Sequence, residues 1–149
     1  MLVYRITKAI YADRLVASGG AARWNSRGQF VIYTAGTRAL ACLENVVHRS
    51  SEGLMDSFRV MVINLPDGLF VDTVDTERLP ANWSDYWQYS VCQQIGGEWL
   101  ENRRSAVLRV PSAIIPDEWN YLLNPAHPDF SGISLVRTEP FSFDPRLKS

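Results

Sequence analysis

Apolar positions along this chain fall in short runs separated by clusters of turn-forming residues. LVYRI (Leu2 to Ile6) is β-branched and aromatic and predicts a first strand. FVIYTA (Phe30 to Ala35) is a continuous apolar run, the pattern of a strand buried on both faces, and Gly36 closes it. SFRVMVINLP (Ser57 to Pro66) alternates well enough for a third strand, which Pro66 stops. AVLRVPSAIIP (residues 106–116) reads as another, and ISLVRTEPFSFDPRL (133–147) as one or two edge strands. DEWNYLLNPAHPDFSG (117–132) lies between them and, dense with turn formers, predicts no element.

Helical periodicity occurs twice. Thr37 is placed to cap a helix from Arg38 to about Arg49. At 3.6 residues per turn, Leu40, Leu43 and Val47 make one stripe, widened by Ala39, Cys42 and Val46. Arg38, Asn45 and Arg49 take the opposite, solvated face. Glu44 belongs to neither group and sits at the rim of the apolar stripe. SDYWQYSVCQQIGGEWLENRRS (84–105) resembles a helix interrupted near Gly96–Gly97, with Ile95, Trp99 and Leu100 as core contacts. Between the first two strands, ASGGAARWNSRGQ (17–29) breaks all periodicity. A loop of about a dozen residues in a compact domain is more often functional than idle. About six short strands with few helices, strand following strand, indicate an α+β mixed sheet rather than a doubly wound one.

Length and composition leave that picture as a single domain, residues 1–149, with enough apolar content (46%) to hold a core without staples. The formal charge of −1 offers no global field for nucleic acid or an anionic membrane, so any anionic ligand needs a local cluster of arginines. Cys42 and Cys92 form no CxxC pair, and His48 and His127 lie outside metal-ligand spacing, so neither a disulfide framework nor a metal site is expected. No leader-like or membrane-length apolar run is present, and a cytoplasmic protein is the expectation. Phosphate-binding loops, dinucleotide fingerprints, zincin helices and nucleophile elbows are absent from the sequence. A triad of Ser112, His127 and Asp129 can be written down without local support. The aromatic segment NWSDYWQYS (82–90) carries no Lys or Arg, which favours packing or a protein interface over base stacking.

What remains is the stretch from Arg23 to Glu44. Arg23 and Arg27 flank Trp24 and Asn25, and guanidinium forks match phosphate oxygens. Tyr33 offers a ring and a hydroxyl. Glu44, if it shares their cleft, supplies a carboxylate able to steady an oxocarbenium-like charge or bind a ribose hydroxyl. Cleavage of a nicotinamide–ribose bond needs such a set, but solvated loop arginines are the ordinary alternative.

GGAARWNSRGQFVIYTAGTRALACLE, with RVPSAIIPDEWNYLLNPAHPDF and PFSFDPRL downstream, resembles the RES-domain family of bacterial toxins, over nearly the whole chain. Ala21 and Ala22 stand where that family more often has glycine. The resemblance implies an ADP-ribosyltransferase-like fold and NAD as substrate rather than cofactor. It implies breakage of NAD by hydrolysis or phosphorolysis, with ADP-ribosylation of a protein as the alternative. By position it assigns Arg23, Tyr33 and Glu44 to catalysis and Ser112 to the substrate, with Arg27, Trp24 and Asn25 as further substrate contacts. Ser112 read by itself is a strand-end serine serving local backbone. The resemblance further implies an Xre-type helix-turn-helix antitoxin that covers the cleft in a hetero-oligomeric complex and leaves DNA binding to that partner. A non-enzymatic module built on the residue 83–89 aromatics is the competing reading.

Overall fold

The computed structural model describes residues 1–148. Seven strands form one mixed sheet: β1 (Leu2–Lys8), β2 (Ile32–Ala35), β3 (Phe58–Asn64), β4 (Val71–Thr73), β5 (Val107–Pro111), β6 (Trp119–Leu123) and β7 (Ser134–Phe141). Their spatial order is β4-β5-β6-β2-β1-β3-β7. Among the described residues, only β4 and β5 run parallel. Two α-helices, α1 (Arg38–His48) and α2 (Tyr89–Asn102), complete the α+β architecture.

One seam in this sheet positions everything that follows. β1 pairs with β3 along its whole length, from Leu2↔Asn64 to Lys8↔Phe58, but meets β2 only at Tyr4↔Ala35. The strands part on either side of that contact. Side chains take over backbone carbonyls there: Arg5 Nη1 donates to Tyr33 O at 3.2 Å, and Asn45 Nδ2 donates to Ile6 O at 3.1 Å. A buried carbonyl without a partner is costly, so a parted seam calls for polar residues beside it.

Two apolar clusters flank the seam and a third lies behind it. Ile6, Ala35, Phe58, Val60 and Val62 pack under α1 through Leu40, Ala41 and Val46. Leu108, Val110 and Leu122 pack under α2 through Cys92, Ile95 and Trp99. The opposite face buries Val3, Ile32, Met61, Ile63, Val107 and Leu123 under loop residues such as Ala12 and Ile133. Each fully buried aliphatic side chain contributes about 1.5–3 kcal/mol, enough to hold the two halves without continuous pairing across the seam.

Several sequence expectations change. β6 is a central strand lying inside the segment that predicted no element, because WNYLL is only five residues long, interrupted by Asn120 and flanked closely by turn formers. α2 runs unbroken through Gly96–Gly97. Gly96 is there because a Cβ would collide with the Trp24 carbonyl, which packs directly onto the helix. Phe30 lies outside β2 and is exposed. Thr37 caps α1 as expected, its Oγ1 accepting from Leu40 N at 3.1 Å. That helix is turned about its axis relative to the wheel, however. Val47 is 52% exposed, whereas Ala41 is buried and Asn45 reaches the sheet. Arg38 and Arg49 are not simply solvated either: their guanidinium groups lie over Tyr4 (4.5 Å) and Phe58 (5.0 Å). The rotation takes Glu44 from the rim of a core face to the side facing the seam.

Candidate active site

The seam opens into a cavity of about 510 Å³, lined by residues of β1, β2, α1, the loop before β2 and the segment before α2. Arg23, Trp24, Tyr33 and Glu44 all line it, so three consecutive elements of the sequence do meet in one cleft. Ser112 lies against its floor through Glu44. Asn25 and Arg27 are outside it.

Glu44 is held from one side. Its Oε1 accepts hydrogen bonds from Ser112 Oγ (3.0 Å) and Asn120 Nδ2 (3.1 Å). Oε2 has no hydrogen-bond partner among the described residues. Ser112 Oγ also accepts from the backbone N–H groups of Ile114 (3.2 Å) and Ile115 (3.1 Å). Ser112 thus shapes the turn after β5, as its local reading has it, and donates to the Glu44 carboxylate while lying outside the cavity lining.

Arg23 spans the opposite wall. Its Nη1 donates to Trp83 O (2.8 Å), and Nη2 to Ser84 O (3.2 Å) and Asp85 O (3.4 Å). The same guanidinium lies 4.6 Å from the centre of the Tyr89 ring. The aromatic segment predicted to be packing or interface is thus fastened onto the site. Trp83 packs on Trp24 with ring centres 6.0 Å apart, while Ser84, Tyr86 and Tyr89 line the cavity.

Tyr33 and Asn25 stabilise the loop between β1 and β2. The Tyr33 hydroxyl donates to Asn25 Oδ1 and accepts from Trp24 N at 3.1 Å. Burial raises the phenol's pKa well above its ordinary value, so it stays neutral. Asn25 is 1% exposed, and its Nδ2 lies within hydrogen-bond distance of the carbonyls of Gly20, Ser26 and Gln29. The Asn25 side chain thus organises the loop from outside the cavity lining. Gln93 of α2 adds bonds to Ala22 O (2.9 Å) and Asn25 O (3.1 Å). Arg27 is an exposed loop cation outside the cavity lining, beside Gly28 at φ +87°. The His127 ring accepts from Asp129 N and contacts Arg103 O, with no hydrogen bond to Ser112, so the triad does not assemble.

Two cavity residues escaped the sequence reading. Arg5 lines the cleft from β1 with no carboxylate partner among the described residues. Desolvation first, and the nearby Arg49 second, lower its pKa from the ordinary arginine value. A cation in such surroundings favours an anionic ligand. Its signal was available, since an arginine inside LVYRI is the one charge in an otherwise apolar run. Asn120 leaves no such signal, because the turn formers around WNYLL mask the strand that carries it.

Comparison with known proteins follows the same outline. A family model described as the RES domain matches residues 2–144. The "Prs ADP-ribosylating toxin" of Sphingobium sp. (strain YBL2) is 38% identical over 141 residues, covering 91% of this chain and 88% of that protein. "Toxin Res" of Photorhabdus laumondii subsp. laumondii is 35% identical over 152 residues, covering 99% and 97% respectively. A chain in the crystal structure of the M. tuberculosis MbcT-MbcA toxin-antitoxin complex shares the fold with TM-score 0.76 at 19% identity, over 98% of this chain and 85% of that one.

Proposed function

Because this chain belongs to the RES-domain family, we propose that it is the toxin of a toxin–antitoxin pair and that it breaks the nicotinamide–ribose bond of NAD. The observation that carries the chemistry is the Glu44 carboxylate, fixed through one oxygen by Ser112 and Asn120, in a cleft that also holds Arg5 and Arg23. As the C–N bond breaks, its electron pair goes to the pyridinium nitrogen and nicotinamide leaves neutral. Positive charge develops on the ribose, and a preorganised carboxylate beside it stabilises that charge without reorganisation. Removing one such group typically lowers kcat by about 10²–10³.

The pyrophosphate needs cations that are not already neutralised. Arg5 meets that requirement as it stands. Arg23 meets it by exchanging its longer carbonyl contacts for phosphate oxygens, with charge-assisted bonds replacing neutral acceptors. Tyr33 lines the cleft beside the nicotinamide ribose, while its hydroxyl, accepting from Trp24 N, keeps the loop in place. The acceptor is water, which releases a proton to solvent as the new C–O bond forms, or inorganic phosphate, which forms that bond through an anionic oxygen.

A second reading keeps the bond cleavage and changes the acceptor to a side chain of a target protein. The naming of the Sphingobium relative as an ADP-ribosylating toxin favours it. An Xre-type antitoxin seated over the cleft would block either reaction. The test is release of free nicotinamide from NAD by the purified protein, with and without phosphate, alongside label transfer from NAD to protein. Phosphate-dependent release indicates phosphorolysis, phosphate-independent release indicates hydrolysis, and label on protein indicates transfer. No release under any condition, with the protein folded, rejects the proposal.

A further inference from the structure

We infer that Asn120 is a positioning residue, which holds Glu44 by one carboxylate oxygen so that the other is left for the substrate. The inference rests on the reading of Glu44 given above.

Asn120 sits in the middle of the sheet, paired with Ala35 of β2 and Val110 of β5. Both neighbours are buried and apolar. Its Nδ2 donates to Glu44 Oε1 at 3.1 Å, and this is the amide's one side-chain hydrogen bond among the described residues. Its Oδ1 is buried and has no hydrogen-bond partner among the described residues.

Native proteins rarely leave a buried polar atom unpaired, and each instance calls for a reason. The reason here is not a reversed amide. Turning it over would set Oδ1 against the Glu44 carboxylate, oxygen to oxygen, and lose the only bond the group makes. Nor does packing explain it, since an apolar side chain at this position would leave no atom unsatisfied. What the asparagine supplies that an apolar residue would not is the donor to Glu44. Ser112 differs: its hydroxyl already serves the turn at Ile114 and Ile115, whichever way Glu44 points. Asn120 thus has one polar contact, and that contact is the carboxylate.

A fold-stabilising role and a positioning role make opposite forecasts. If Asn120 serves Glu44, Asn120→Ala keeps the melting temperature at or above that of the unsubstituted protein, because an unpaired buried oxygen is removed. NAD turnover then falls about tenfold to a hundredfold in kcat, the usual scale for losing a partner that orients a reactive group. KM changes by no more than about threefold, since the cations that hold the phosphates are untouched. Asn120→Asp gives a sharper signature. At neutral pH the two carboxylates repel, and turnover is low. In acid the introduced carboxyl takes up a proton, becomes a donor to Glu44, and activity recovers.

The experiment measures kcat and KM for nicotinamide release from NAD across pH, with melting temperatures, for the unsubstituted protein, Asn120→Ala and Asn120→Asp. Reduced kcat with retained stability, together with recovery of Asn120→Asp in acid, supports the inference. Unchanged kcat in Asn120→Ala overturns it, as does an Asn120→Asp profile that parallels the unsubstituted protein at every pH. Should the unsubstituted protein release no nicotinamide, the proposed function fails first and takes this inference with it.

Discussion

The two walls of the cleft are built on opposite principles. On the α1–β6 wall, Ser112 and Asn120 converge on one oxygen of Glu44, and the other oxygen has no partner among the described residues. On the facing wall, nearly every polar atom is already committed: Arg23 to three carbonyls, Tyr33 to Asn25 and Trp24, and Asn25 to its own loop. The first wall is arranged to act and the second to stay in place. Substitutions on the first should therefore strike turnover, and those on the second should strike stability or substrate binding.

The largest effect falls on the acting wall. Glu44→Gln keeps the donors Ser112 and Asn120 supplied with an acceptor but removes the charge. Nicotinamide release should fall by about 10²–10³ or more in kcat with the melting temperature nearly unchanged. A loss of less than tenfold would break the comparison at its strongest point.

Next in size is a purely structural change behind the second wall. Gly96→Ala places a methyl group against the Trp24 carbonyl, so either α2 or the loop must shift. Overpacking of this kind costs about 1–3 kcal/mol and can exceed that where backbone is the obstacle. Denaturant unfolding reads it directly, and a neutral result would mean that the loop is not seated as described.

Arg23→Ala comes third and separates binding from fastening. It removes the guanidinium from the carbonyls of Trp83, Ser84 and Asp85, so KM for NAD should rise about tenfold. Cleavage of residues 79–88 by a protease should quicken in parallel. A raised KM without faster proteolysis would make Arg23 a ligand group only.

Tyr33→Phe probes the same wall through pH. The folded protein holds this phenol neutral with a raised pKa, whereas the unfolded chain ionises it near the ordinary value of 10.0. Stability from this group is complete below that value and is lost as pH rises above it toward the folded pKa. The alkaline fall in stability should therefore be shallower in Tyr33→Phe. Equal slopes would mean that the hydroxyl is not buried against Trp24.

The smallest effect is Arg27→Ala. This side chain is exposed and outside the cavity, so stability should change by less than about 0.5 kcal/mol. KM should stay within about twofold of the unsubstituted value. A large rise in KM would restore the direct substrate contact expected from sequence.

Which parts were legible in the sequence follows from the range of the interactions. β1, β3, the Thr37 cap and the oddity of Glu44 are local patterns, and local patterns can be read. The orientation of α1 was not, because the apolar stripe of Leu43 and Val47 competes with the Asn45 bond to Ile6 O across 39 residues. The partners of Glu44 and Arg23 lie farther still, with Asn120 76 residues from Glu44 and Trp83 60 residues from Arg23. Residue types suggested a phosphate-and-ribose site, and only the sheet order shows that β6 stands next to β2 to deliver Asn120. Asn25 shows the converse limit: a polar loop residue beside an arginine reads as a ligand contact, whereas its hydrogen bonds run to its own loop and to Tyr33.

The account depends most on the two walls meeting one molecule of NAD. A crystal structure of Glu44→Gln soaked with NAD tests this without turnover consuming the ligand. The predicted result has C1′ of the nicotinamide ribose beside residue 44 and the pyrophosphate against Arg5 and Arg23. NAD bound elsewhere, or in the cleft with its pyrophosphate away from both arginines, would contradict it.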